Sequence, residues 1–187
     1  NFMKSGLVFA DAITTVSEQY SREIQTEEYG CGLEGVLQGR HHDVFGIING
    51  IDYKIFSPDK DKMIAKPYDM KTLAKKKDNK KALLKQVGLP VKRGAVVMGM
   101  ISRLVDQKGF DLVAEIIESL MVQNVQLVIL GTGDAVYHQL LQDLEVKYPR
   151  QLKAVLAFDA TLAQQIYAGS DLFLMPSRYE PCGLGQL

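Results

Sequence analysis

The chain has 187 residues, 47% hydrophobic and 24% charged, with 22 Lys+Arg against 22 Asp+Glu. That length is one domain or parts of two at about 100–150 residues each, and the apolar fraction excludes disorder. A balanced charge excludes whole-chain attraction to nucleic acid or anionic lipid, and no apolar run approaches the about 18 residues of a membrane span.

Residues 1–56 read as an apolar stretch (Leu7 to Ile13), a helical stretch with acids and Tyr, a Gly-rich loop (Gly30, Gly32, Gly35) and a strand, Val44 to Ile48. Asn49-Gly50 closes that strand as a turn. His41-His42-Asp43 holds three metal-ligand types in a row. Adjacent side chains diverge, so a metal site is not expected there. The start, Asn1-Phe2-Met3-Lys4, does not have the order of a signal peptide, and both ends read as cut. Two cysteines, Cys31 and Cys182, form no disulfide framework and suggest a reducing compartment.

Residues 57–93 are a charged connector followed by a Lys-rich helix over about Met70 to Val87, stopped by Gly88-Leu89-Pro90. Its lysines are read as a solvated face, because no aromatic is interleaved for base stacking.

Residues 94–187 alternate strands and helices: Ala95 to Ile101, then Phe110 to Met121 with Leu112, Val113, Ile116, Ile117, Leu120 and Met121 at helical spacing, then Val125 to Leu130. A helix over Asp134 to Tyr148 follows, with Val136, Leu140, Leu141 and Leu144 on one side. Lys153 to Phe158 (strand), Thr161 to Ala168 (helix) and Asp171 to Met175 (strand) complete the series. Apolar strands alternating with helices predict an α/β fold whose parallel sheet is covered on both faces. Ligands of such sheets bind at the carboxyl ends of strands.

Four strand ends therefore matter. After the first, Arg103 and Lys108 are two cations on one loop before a helix; a planar fork and a point charge suit a diphosphate, and a plain surface pair is the alternative. After the second, Gly131-Thr132-Gly133 is a tight turn at a helix start. Val136 stands where a third glycine would complete the dinucleotide fingerprint, so a standard NAD site is not expected. After the third, Phe158 reads as a core aromatic from position alone, with base stacking the alternative. After the fourth, Glu180-Pro181-Cys182-Gly183-Leu184-Gly185 places a carboxylate before a Gly-rich helix start. Amides of Gly183 to Gly185 suit a phosphate, Glu180 suits a sugar hydroxyl, and Cys182, with no histidine nearby, reads as a structural thiol.

Taken together these segments resemble the bacterial glycogen synthase and plant starch synthase family, the family 5 glycosyltransferases. The matching stretches are Phe9 to Ser17, Gly32 to Leu37, Asn49 to Asp52, Ser102-Arg103-Leu104 through Lys108-Gly109, and Pro176 to Gln186. The resemblance implies a two-domain GT-B enzyme with Rossmann-like halves. It would transfer glucose from ADP-glucose (UDP-glucose in some members) to the non-reducing end of an α-1,4-glucan, with retention and with neither metal nor other cofactor. It implies that Arg103 and Lys108 hold the diphosphate, Glu180 the donor glucose, and Cys182, Gly183, Leu184 and Gly185 the sugar and phosphate. Phe158 would cover adenine, Gly131 and Thr132 would flank the nucleoside, and Asn49 would lie near the sugar. Gly185 stands where some members carry Thr or Asn, which leaves only its backbone amide. In this alignment 1–56 is the end of the N-terminal domain, 57–93 the connector, and 94–187 the first half of the C-terminal domain. A bacterial cytoplasm, or a plastid in a plant, is the implied location. The family's Lys-containing Gly-rich loop and further sugar-facing residues lie outside these residues, so the chain alone is expected to be inactive.

Overall fold

A computed structural model describes all 187 residues, which fall into two compact units: Asn1–Asp52 with Glu180–Leu187, and Tyr53–Tyr179. Residues 180–187 thus cluster with the first unit, although by sequence they continue the last strand's loop.

The first unit contains α1 (Phe2–Phe9), β1 (Ile13–Thr15), α2 (Glu18–Glu23), α3 (Glu34–Gly39), β2 (Val44–Gly46) and a 3-10 turn, Leu184–Gln186. Strands β1 and β2 pair in parallel, Ile13 opposite Val44 and Thr15 opposite Gly46. The apolar stretch Leu7 to Ile13 is therefore not one element: it is the end of α1, a break, and the first residue of β1. Asn1 caps α1 by accepting from the Lys4 N–H, 3.3 Å, a start that apolar content alone does not mark. Gly32 is left-handed, φ 78°, and belongs to the loop as expected, whereas Gly35 lies inside α3. His41–Asp43 forms a 3-10 turn in which Asp43 pairs with Arg40 at 2.8 Å.

The second unit contains α4 (Lys76–Gln86), β3 (Val96–Ile101), α5 (Phe110–Met121), β4 (Val125–Leu130), α6 (Ala135–Lys147), β5 (Leu152–Val155), α7 (Ala160–Gly169) and β6 (Leu172–Phe173). The strands form one parallel sheet in the order β5-β4-β3-β6. Because successive strand residues face opposite ways, β4 serves two cores. Leu127 and Ile129 pack with Met100, Leu152 and the inner face of α5 (Phe110, Val113, Ile117, Met121). Val128 and Leu130 pack with Val97, with Leu83 and Leu84 of α4, and with Leu162 and Ile166 of α7.

Several expectations change in detail. Leu112 and Ile116 of α5 and Val136 of α6 are exposed, because only one face of each helix meets the sheet. Within β4, Gln126 is fully buried rather than apolar; its amide nitrogen donates to the Pro90 carbonyl at 2.8 Å, while its Oε1 has no partner. The Lys-rich helix starts six residues later than predicted. Asp69 and Thr72 bond each other reciprocally, Thr72 N–H to Asp69 Oδ1 at 2.8 Å and Asp69 N–H to Thr72 Oγ1 at 3.0 Å, which competes with helix there. Its lysines are not all a solvated face. Lys76 Nζ donates to the carbonyls of Tyr167 and Ala168 at the end of α7 (2.9 and 2.8 Å), and Lys80 reaches the Ala95 carbonyl and Asp171. Burial of Lys76 pushes its ammonium below the usual lysine value. Strand β5 ends at Val155, level with Leu130 of β4, so Phe158 stands beyond the sheet, 90% exposed, and the core reading of that ring is corrected.

No helix is long and apolar enough to cross a membrane. No group of three or more His, Cys, Asp or Glu side chains is placed to hold a metal ion.

Candidate functional site

The carboxyl edge of the second unit's sheet carries a ledge made of three fused loops. The loop after β3 meets the loop after β4 through Leu104, which is fully buried. The Leu104 N–H donates to the Thr132 carbonyl at 3.0 Å, and the Asp134 N–H donates to the Leu104 carbonyl at 2.8 Å. Close approach requires glycine here: a Cβ on Gly131 would lie 2.0 Å from the Ser102 carbonyl oxygen, and one on Gly133 2.4 Å from that of Leu104. The turn Gly131-Thr132-Gly133 is thus explained first by packing of two loops.

The loop after β3 meets the loop after β6 through a denser set of bonds. Arg178 grips Asp111 with both arms of its guanidinium, 2.9 and 2.6 Å, and its Nη1 also donates to the Asp106 carbonyl at 3.0 Å. The Arg178 N–H donates to the Gln107 carbonyl, 2.9 Å, and Gln107 Nε2 donates back to the Tyr179 carbonyl, 3.0 Å. Gly109, left-handed at φ 70°, brings the chain so close to Pro176 that a Cβ would sit 2.2 Å from its carbonyl oxygen. The Arg178 guanidinium beside Asp111 holds that carboxyl down at about 2, and Asp111 in turn raises the arginine further.

Arg103 is exposed on this ledge, and Lys108 ends the 3-10 turn Asp106–Lys108, half-buried. Arg103, Lys108, Gly131 and Thr132 are therefore gathered on one edge, as the strand-end rule predicts. Phe158 stands on the neighbouring loop after β5. His138, which has no spacing partner in the sequence, bonds this edge too: its Nε2 accepts the Gly133 N–H at 3.2 Å, with Thr132 Oγ1 3.4 Å away.

Within the first unit, Asn49 follows β2 and its Nδ2 donates to the Cys182 carbonyl at 2.9 Å. A Cβ on Gly183 would lie 3.1 Å from Glu180 Oε1, so the carboxylate folds over that glycine. Asn49, Glu180, Cys182 and Gly183 are thus neighbours. The Gly183 N–H already donates to Gln186 Oε1 at 2.7 Å, inside the turn that holds Leu184 and Gly185. Sequence reasoning missed Gln107, Asp111, Arg178 and His138. Gln107 and Arg178 lay within stretches singled out by motif, but no spacing ties Arg178 to Asp111 or Gln107 to Tyr179.

A parallel Rossmann-like sheet with cations and a close-packed glycine turn at its carboxyl edge defines an α/β protein of the open-sheet class, whose ligands bind at strand ends. The chain belongs to the group 1 glycosyl transferases, whose family model matches residues 80–185, while the model for the starch synthase catalytic domain matches residues 1–39. All 187 residues are 54% identical to the glycogen synthase of Fervidobacterium nodosum and 51% identical to that of Thermotoga maritima, and the chain spans 38% of the length of each. The catalytic domain of starch synthase IV from Arabidopsis thaliana, bound to ADP and acarbose, is 35% identical and superposes with a TM-score of 0.92 over 98% of this chain and 38% of that one. The Anabaena protein HepE, in complex with UDP and glucose, shares the fold at 20% identity and a TM-score of 0.61, over 95% of this chain and 41% of that one.

Proposed function

We propose that this chain supplies part of the donor site of a glucosyltransferase of the glycogen and starch synthase type. The whole protein would move glucose from ADP-glucose to the non-reducing 4-hydroxyl of an α-1,4-glucan. The bond between glucose C1 and the phosphate oxygen breaks, a bond from C1 to the acceptor oxygen forms on the same face, and the departing ADP takes up the hydroxyl proton. The observation that carries the reading is the placement of Arg103 and Lys108 on a ledge pinned by Leu104 on one side and Arg178 on the other. Cations held rigidly stabilise charge as it develops on a leaving diphosphate without reorganising.

In this reading Arg103 and Lys108 bind the diphosphate, Gly131 and Thr132 flank the nucleoside, and Phe158 stacks on the base. Glu180 contacts the donor glucose, with Asn49 and the turn Cys182-Gly183-Leu184-Gly185 beside it. The 54% identity to a glycogen synthase supports this assignment. The domain reading (1–56, 57–93 and 94–187) and a cytoplasmic location without cofactor belong to the same proposal.

The test is transfer of labelled glucose to glycogen by the intact protein, with ADP-glucose and UDP-glucose compared. Arg103→Ala or Glu180→Ala should each lower turnover by at least about two orders of magnitude with the fold retained. Near-normal turnover in either variant removes that residue, and nucleotide binding without transfer by the unaltered protein removes the enzyme reading.

A further inference from the structure

Arg178 belongs to no strand and to no role the motifs suggest, yet its guanidinium makes three hydrogen bonds, one to the Asp106 carbonyl and two to Asp111. We infer that Arg178 is a positioning residue: it fixes the 3-10 turn Asp106–Lys108 against the strap Pro176–Tyr179, and so sets where the Lys108 ammonium stands. The inference rests on the proposed role of Lys108 as a diphosphate ligand.

The geometry is specific to the turn. Its residue Asp106 gives its carbonyl to Arg178 Nη1, 3.0 Å. Its next residue, Gln107, is bonded twice, accepting from the Arg178 N–H at 2.9 Å and donating to the Tyr179 carbonyl at 3.0 Å. Gly109 lies against Pro176, and Asp111, in the first turn of α5, takes both arms of the guanidinium. Lys108 is therefore flanked on both sides by residues tied to the strap. A flexible lysine side chain places its charge well only when its Cα is held.

Arg178 is itself poorly suited to be the ligand. Its charge is already matched by Asp111, and Asp106 Oδ1 stands 3.6 Å away. A lysine at 178 would keep the charge yet lose the planar fork that spans Asp111 and the Asp106 carbonyl together.

The experiment uses the intact protein, with steady-state glucosyl transfer from ADP-glucose, the dissociation constant of ADP, and Tm measured in parallel. Arg178→Ala should lower kcat/KM roughly 30–100-fold, and Arg178→Lys and Asp111→Asn roughly 5–10-fold with Tm held within a few degrees. Because Arg178 acts through Lys108, the double variant R178A/K108A should be no worse than Lys108→Ala alone by more than about threefold. Full kcat/KM in Arg178→Lys and Asp111→Asn, or a double variant that loses the product of the two single effects, overturns the inference while leaving Lys108 in its role. Full activity in Lys108→Ala instead removes the reading of Lys108, and the positioning role with it.

Discussion

Asn49 donates a 2.9 Å hydrogen bond to the main-chain carbonyl of Cys182, a residue 133 positions further along the chain. The bond ties the loop after β2 to the turn that follows Glu180, and it uses the Asn49 amide nitrogen as donor. An aspartate there would set a carboxylate against a carbonyl. Asn49→Ala should therefore lower glucosyl transfer roughly 5–10-fold and Asn49→Asp more, since the second leaves two acceptors facing each other. Transfer kinetics beside Tm check the order; wild-type transfer in both variants would mean that the hydrogen bond is immaterial.

The glycines of the ledge are expected to separate by cause. Gly131→Ala drives a methyl group to 2.0 Å from the Ser102 carbonyl oxygen, backbone that moves only if the loop moves, and should cost about 2–3 kcal/mol. Gly32→Ala meets no atom but sits at φ 78°, and should cost about 1 kcal/mol. Gly50→Ala has open space around it and should change nothing measurable. Urea unfolding midpoints of the three variants give the ranking.

Acid should release the Arg178 clamp late. Asp111 titrates at about 2 in the folded chain against 3.8 for the free side chain, chiefly through its hydrogen bond from Arg178. In that window the unfolded chain binds more protons, so stability rises with pH. The stabilisation is present above 3.8 and is lost as pH falls through that value toward 2. Wild type should therefore exceed Asp111→Asn in urea midpoint at pH 5, and the gap should narrow progressively toward pH 2. A gap that stays constant across that range would mean that the carboxylate charge is not what Arg178 holds.

Phe158 offers a separation of stability from binding. With 90% of its surface exposed it contributes no core packing, so Phe158→Ala should leave Tm unchanged within about one degree. If its ring stacks on the nucleotide base, the same variant should weaken ADP binding of the intact protein by roughly 5–100-fold. Calorimetric titration with ADP checks this, and unaltered affinity would take Phe158 out of the site.

What the amino-acid sequence determined by itself was the layering and the address of the chemistry. Apolar runs such as Leu127 to Leu130 require cover on both faces, and Phe110 to Met121 shows the helical period, so the parallel α/β sheet and its carboxyl edge were legible from the residues alone. The positions of Arg103, Lys108 and Gly131 on that edge were legible too, because motif and strand end coincide there, whereas Glu180, expected on the same edge, clusters with the first unit. What only the tertiary structure decided was the bonding between loops. Arg178 and Asp111 lie 67 residues apart, and Asn49 and Cys182 lie 133 apart. Local propensity carries no information about such pairs. Their meeting depends on strand order, which brings β6 beside β3 and so lays the strap Pro176–Tyr179 against the turn that bears Lys108. One strand end shifted for the same kind of reason: Phe158 lies outside the sheet because β4, the only strand that pairs with β5, ends level with Val155.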